Sequence, residues 1–279
     1  MILVTGATGQ LGRLVVEGLR ARGAAVVAGA RDVAAAADLG VEVRELDYDR
    51  PETANPALAG VDQVLLISAS QPGNRVAQHT VVVDAAKRAG VRHIVYTSAP
   101  HADTTPLVLA PEHKATEEVI RASGLPFTFL RNGWYHENYT ATITGAAETG
   151  EIVGAAGNAR VASAARRDFA DAAVAVLTGG GHEGRVYELS GDTAWTFPEF
   201  ADEIARQTGR PVTYRDLAPA EYQRFLVDQG TPAEVAGFLA ALEQNIADGT
   251  LADTPGDLRA LIGRPTTPLA DTVEAVLKS

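Results

Sequence analysis

Three glycines near the start of the chain, in Gly6-Ala-Thr-Gly9-Gln-Leu-Gly12, stand where a backbone could close around a phosphate. At this spacing Gly6 permits a tight turn, Gly9 leaves bare backbone for a pyrophosphate, and Gly12 lets a helix pack close to the preceding strand. Ala7, Thr8, Gln10 and Leu11 complete the turn and open the helix, whose N-terminus then faces the anion. About twenty residues further on, where a dinucleotide fold meets the ribose, the chain has Arg31. An acidic side chain there would accept from the 2'-hydroxyl of NAD. A guanidinium instead pairs with a 2'-phosphate through charge-assisted hydrogen bonds, which points to NADPH. Two other arrangements stay open: Arg31 could be a solvated residue at a strand end, or Asp32 could turn inward to the ribose.

Other chemistries are excluded or disfavoured. The chain has no cysteine, so disulfides, thiolate catalysis and Cys-ligated metals are absent. Its six histidines are scattered without an H-x-x-x-H pair, so no metal site is expected and they read as surface or capping residues. A net charge of -11 with no basic stripe argues against a nucleic-acid surface, so an anionic cofactor must be held by local donors. No apolar run approaches the roughly 18 to 20 residues that span a bilayer, and Met1 leads straight into a strand. A cytoplasmic protein is expected, with a small-molecule partner and room for homo-oligomers.

The elements that must position these residues alternate between strand and helix. Strands are expected at 2–4, 24–30, 41–46, 61–70, 91–98 and 127–130, with helices from 13, over 76–88 and from Pro111 to Ser123. This order predicts an α/β fold, a Rossmann-type doubly wound parallel sheet. Small residues Ser68, Ala69 and Ser70 at a strand's carboxyl end leave room for a ligand in the crevice, with 71–73 at its edge. Asp47 could accept from an adenine amino group or cap the next turn. The segment Asn132-Gly-Trp-Tyr-His-Glu137, extended to Tyr139, leaves the sixth strand with polar and aromatic groups. Gly133 permits close approach, and Trp134, Tyr135 and Tyr139 offer flat surfaces for a ring, or pack two lobes together. Beyond 140 the alternation weakens: helices are expected at 166–177, 196–208, 219–228, 231–248 and after Pro268, and strands at 185–190 and 212–214. Residues 1–140 then form the nucleotide-binding domain, and 141–279 a smaller α+β lobe over the crevice, with some later segments returning to the first.

The G-x-x-G-x-x-G spacing resembles the short-chain dehydrogenase superfamily, but no tyrosine here has a lysine four residues on. That absence, with Tyr96-Thr-Ser98, His101-Ala-Asp-Thr104, Leu130 to Tyr135 with Glu137-Asn-Tyr139, Gly184-Arg-Val-Tyr-Glu-Leu189, Gly191-Asp192 with Ala194-Trp-Thr196, and Leu261-Ile-Gly263 with Arg264-Pro-Thr-Thr267, makes the chain similar to the NmrA-like branch, and within it to the NADPH-dependent type-2 quinone oxidoreductases of bacteria. The resemblance covers nearly the whole chain. It implies NADPH contacts at Gly6 to Leu11, Arg31, Ser68 to Ser70 and Asn132 to Glu137, including His136. Residues 220–258 depart from the pattern and are expected to line the substrate pocket.

A missing tyrosine does not exclude catalysis. Reduction of an isolated ketone develops an alkoxide that needs a proton donor, whereas a hydroquinone anion is stabilised by aromaticity and water can protonate it. The protein then has to hold two rings in reacting geometry. No acid or base is assigned; the candidates for the reacting centre are Trp134, Tyr135 and Lys114, the last also readable as a solvated helix lysine. The expected activity is NADPH-dependent two-electron reduction of a quinone or similar electrophile. An NADP(H)-binding redox sensor without turnover is the alternative.

Overall fold

The computed structural model describes residues 1–69 and 73–279; Ser70, Gln71 and Pro72 lie outside the described residues. The chain runs β1 (Ile2–Val4), α1 (Gln10–Ala21), β2 (Val26–Ala30), β3 (Glu42–Glu45), α2 (Ala54–Ala57), β4 (Gln63–Leu66), α3 (Arg75–Ala89), β5 (His93–Ser98), α4 (Ala110–Ser123) and β6 (Phe127–Asn132). It continues α5 (Thr140–Thr149), β7 (Glu151–Gly154), β8 (Arg160–Val161), α6 (Arg166–Thr178), β9 (Val186–Leu189), β10 (Trp195–Thr196), α7 (Phe197–Thr208) and β11 (Thr213–Asp216). Four helices follow, α8 (Pro219–Asp228), α9 (Ala233–Ala247), α10 (Asp257–Ile262) and α11 (Leu269–Leu277).

Seven of the strands form one sheet in the order β3-β2-β1-β4-β5-β6-β9, with every neighbouring pair parallel. The expected doubly wound parallel sheet is therefore present. Its inner strands β1, β2, β4, β5 and β6 are mostly buried, and the pleat sorts their side chains. Ile2, Val4, Leu65, Val95 and Leu130 face α1 and α6, whereas Leu3, Val64, Leu66, Ile94, Tyr96 and Phe129 face α2, α3 and α4. β9 comes from the second half of the chain and pairs with β6. The fourth strand stops at Leu66, short of the expected 70. There the N–H groups leave the ladder for side chains, Ser68 donating to Thr97 Oγ1 and Ala69 to His79 Nε2.

A third apolar cluster joins α5, α7, α9 and α11 with Trp195, and two short ladders, β8 with β10 and β7 with β11, brace it. α7 is fixed at its start by a capping box, Glu199 N–H donating to Thr196 Oγ1 and Thr196 N–H to Glu199 Oε2. Among the described residues no helix is long and apolar enough to cross a membrane, and no cluster of possible metal ligands occurs.

Candidate cofactor and substrate site

The glycine turn sits at the carboxyl edge of β1. Gly6 has φ 56, a left-handed conformation that favours glycine, and its carbonyl accepts from Gly9 N–H at 2.9 Å. A Cβ on Gly12 would fall 2.4 Å from that carbonyl oxygen and 2.8 Å from Ala7 Cα, so only glycine lets α1 lie this close to the turn. Gly9 is less confined, its Cβ position lying 3.2 Å from the same oxygen. No side chain caps α1, and its first turn holds no acid, which leaves its leading N–H groups for an anion.

The three charged groups near this turn divide their work. Arg31, just past β2, is exposed and makes no hydrogen bond or ion pair with another described residue. Asp32 is committed: its Oδ1 accepts from Ala34 N–H at 2.9 Å and Ala35 N–H at 3.2 Å, capping a short turn. Arg13 is committed as well, to Asp38 at 2.7 Å and to the carbonyls of Thr8 and Ala35. Asp47 caps its own turn by accepting from Asp49 N–H at 3.1 Å, and it borders the same cavity.

That cavity, about 580 Å³, runs continuously along the carboxyl edge of the sheet. Its first part is lined by Gly6, Thr8 to Gly12 and Arg31, and its middle by Asp47 to Asp49, Ser68 and Ala69. Its far end meets Pro100, Leu107, Leu109, Trp134 and Leu251, with His113 and Asn138 as polar neighbours. Leu251 belongs to the 220–258 stretch expected to line a substrate pocket. Asn132, Gly133, Tyr135 and Arg166 form the floor. Asn132 Nδ2 donates to the Tyr135 hydroxyl at 3.1 Å, and its Oδ1 is buried without a partner.

Several named residues lie elsewhere. Ala7 is fully buried in the core beside the turn, its N–H donated to Gly29. His136 is buried between elements, Nε2–H donating to the Ser163 carbonyl at 3.0 Å while Nδ1 accepts from Thr272. The Glu137 carboxylate accepts from Arg166 N–H and caps α6. Lys114 is exposed, its Nζ 3.4 Å from the Asp103 carbonyl, and does not line the cavity. Gly133 makes a close approach, but to β9: its N–H donates to Leu189 O at 2.7 Å. Tyr139 packs edge-on against Trp195, Phe197 and Phe200, and the Arg166 guanidinium covers the Tyr135 ring, leaving Trp134 the freer aromatic surface.

Four histidines, 79, 93, 113 and 136, are buried, which corrects the expectation of surface and capping roles. Each is satisfied by a hydroxyl from another element: Thr116 for His79, Thr128 for His93, Tyr96 for His113 and Thr272 for His136. Burial, reinforced by the nearby Arg75 cation, pushes His79 and His113 down to about 3. Arg75 itself is buried at the cavity wall, its Nε donating to Ala69 O at 2.8 Å and its Nη1 3.3 Å from Glu112 Oε2. Arg75, Gln78, Arg166 and Leu251 were not singled out from sequence. The first two were open to a reading, because they stand at i and i+3 in the first turn of a helix that follows a strand's carboxyl end.

Behind the floor, Arg131 ties the sheet together. It pairs with Glu117 through Nε and Nη2 at 2.9 and 2.8 Å, and through Nη1 with Asp103 and Glu188. Ser98, at the end of β5, donates its hydroxyl to Glu117 at 2.6 Å and is thereby committed to this network.

Comparison with known proteins agrees with this geometry. A family described as NAD(P)H-binding matches residues 6–179. Quinone oxidoreductase 2 of Escherichia coli is 46% identical over 98% of this chain and 97% of that protein. The crystal structure of NADPH-dependent quinone oxidoreductase from E. coli complexed with NADPH superposes with a TM-score of 0.96, covering 99% of this chain and 100% of that one. The Citrobacter sp. triphenylmethane reductase complexed with NADP(H) is 40% identical, with a TM-score of 0.94 over 99% and 100% of the two chains. An NmrA-like family domain-containing oxidoreductase of Aspergillus flavus is 31% identical over 99% of this chain and 94% of its own length. With the family match beginning at the Gly6 turn and ending beyond α6, the chain belongs to the NAD(P)H-binding family, in its NmrA-like branch.

Proposed function

We propose that the chain is an NADPH-dependent reductase of quinones or related conjugated electrophiles, acting in the cytoplasm on a small molecule. The observation that carries this reading is the continuous cavity, which begins under the glycine turn and ends against the apolar wall of Pro100, Leu107, Leu109, Trp134 and Leu251. A flat, uncharged ring suits such a wall.

The residues present fit NADPH. Bare backbone at Gly9 and the uncapped start of α1 suit a pyrophosphate, contacted from Gly6, Thr8, Gln10 and Leu11. Arg31, without a partner among the described residues, suits a 2'-phosphate. Ser68 and Ala69 would border the ribose on the nicotinamide side, and the orphaned Asn132 Oδ1 is an acceptor for a carboxamide N–H. When bound, the cofactor supplies a hydride, so that NADPH, quinone and one proton give NADP⁺ and hydroquinone.

The chain's own part is to align and to exclude water. Trp134 and the Asn132 to Tyr135 floor hold the two rings, with Tyr135 kept in place by Arg166 above it and Phe169 at its edge. Lys114 is exposed and does not line the cavity. Solvent supplies the one proton, to an anion that is already aromatic. The test is NADPH oxidation with a panel of benzoquinones and naphthoquinones, against a protein-free control. Oxidation well above the control supports the reading, and none with any member would end it.

A further inference from the structure

We propose that His113 presents its Nε2–H to the cavity as a fixed hydrogen-bond donor that binds and polarises a carbonyl oxygen of the electrophile. This rests on the reading of the far end as a quinone site and goes beyond the alignment role given above. His113 stands in the first turn of α4 and lines the cavity, as do Leu107 and Leu109.

The tautomer follows from the partner behind the ring. His113 Nδ1 lies 2.9 Å from the hydroxyl of Tyr96, a residue wholly shielded from solvent. Burial raises the Tyr96 phenol above its usual range, so it keeps its proton; Thr116 also stands near that hydroxyl, but its own hydroxyl donates to Glu112 O and meets His79 Nδ1, and the contact the phenol makes within 3.5 Å among the described residues is the one to His113. Tyr96 O–H therefore donates, Nδ1 accepts, and the ring proton resides on Nε2. Nε2 has no partner among the described residues, and His113 is one of the residues that line the cavity. The neighbouring His79 has the opposite tautomer, because its Nε2 accepts from Ala69 N–H and its Nδ1–H must donate to Thr116.

The groups facing His113 hold it neutral. Arg75 and His79 approach from α3 and Tyr96 from β5, while Glu112 on its own helix is engaged by Arg75 and by Gly73 N–H. The start of α4 adds a positive helix end. An imidazolium does not form near neutrality, so His113 transfers no proton. It donates a hydrogen bond that strengthens as charge develops on the oxygen, as a neutral imidazole can.

Two measurements test this. In protein labelled with ¹⁵N-histidine, without cofactor or substrate, the His113 ring should show the Nε2–H tautomer from about pH 5 to 9, and Tyr96→Phe should move part of it to Nδ1–H. A wild-type Nδ1–H tautomer, or titration within that range, overturns the proposal whatever the protein's activity. In kinetics with 1,4-benzoquinone at saturating NADPH, His113→Phe should lower kcat/KM by roughly ten- to a hundredfold, with NADPH affinity unchanged. His113→Gln, which restores an N–H near the Nε2 position, should recover part of the loss, and Tyr96→Phe should fall between. The proposal fails if His113→Phe stays within about twofold of wild type, or if its loss tracks weakened NADPH binding. If wild type oxidises no NADPH with quinones, it is the proposed function that fails, and the tautomer measurement still judges the geometry.

Discussion

Replacing Arg31 with alanine isolates the cofactor preference, because the structure leaves this guanidinium with no other task. It is exposed just beyond β2, makes no hydrogen bond or ion pair with another described residue, and borders the cavity beside the glycine turn. Its removal therefore breaks no internal pair and should leave Tm nearly unchanged. A hydrogen bond to a charged group contributes about 1.5 to 3 kcal/mol, and solvent exposure places this one towards the lower end. At about 1.4 kcal/mol per decade, NADPH should bind roughly ten- to a hundredfold more weakly. NADH, which lacks the phosphate, should change by less than about twofold, and the NADPH effect should shrink as salt is raised. Titration of each cofactor by intrinsic fluorescence or calorimetry measures both constants. Equal weakening of the two cofactors would refute the assignment, as would a large loss of both from Asp32→Ala, since the structure uses Asp32 only as a cap.

Gly12→Ala should lose stability as well as NADPH binding, because its Cβ would stand 2.4 Å from Gly6 O; about 1 to 3 kcal/mol, or a Tm drop of roughly 2 to 10 °C, is expected in thermal unfolding. Gly9→Val has φ -72 and looser surroundings, so it should keep Tm within about 2 °C while NADPH binding is lost. Arg131→Met strands the buried Glu117 carboxylate and should cost about 3 to 5 kcal/mol in denaturant unfolding, and adding Glu117→Gln should recover part of it. Acid should unfold the protein through its histidines, His79 and His113 being held near 3 and His136 near 4 by burial. Above about pH 6.5 neither state carries these protons; below it the unfolded chain binds them and the native one does not, so stability falls by about 1.4 kcal/mol per pH unit for each until the native values are reached. A denaturation midpoint that stays flat from about pH 7 to 4.5 would contradict this.

The first half of the fold was legible because its signals are local. Ile2-Leu3-Val4 followed by glycines can hardly be anything but a buried strand and a tight turn, and α3 and α4 end where Gly90 and Gly124 adopt left-handed backbone. α5 was missed because Thr140 to Thr149 is rich in threonine with a glycine at 145, all weak helix formers; it stands because Ile143 and Ala146 pack into the third cluster. The place of β9 beside β6 is a long-range pairing that no local pattern encodes. In the cavity, the glycines and Arg31 were readable from spacing. His113, Arg166 and Leu251 were not, because they come from α4, the start of α6 and the loop after α9, and meet only through the tertiary fold. The histidines were misjudged for the same reason, their hydroxyl partners being supplied by remote elements.

If this chain passes a hydride from NADPH to a quinone by holding the two rings together, then NADPH deuterated at C4 on the transferred face, mixed with protein and 1,4-benzoquinone, should give one hydroquinone per NADPH consumed, loss of the label from the cofactor, and a primary isotope effect on the chemical step well above the protein-free background. Tight NADPH binding with no oxidation above background, for any quinone tried, would overturn this and leave a protein that reports the cofactor without consuming it.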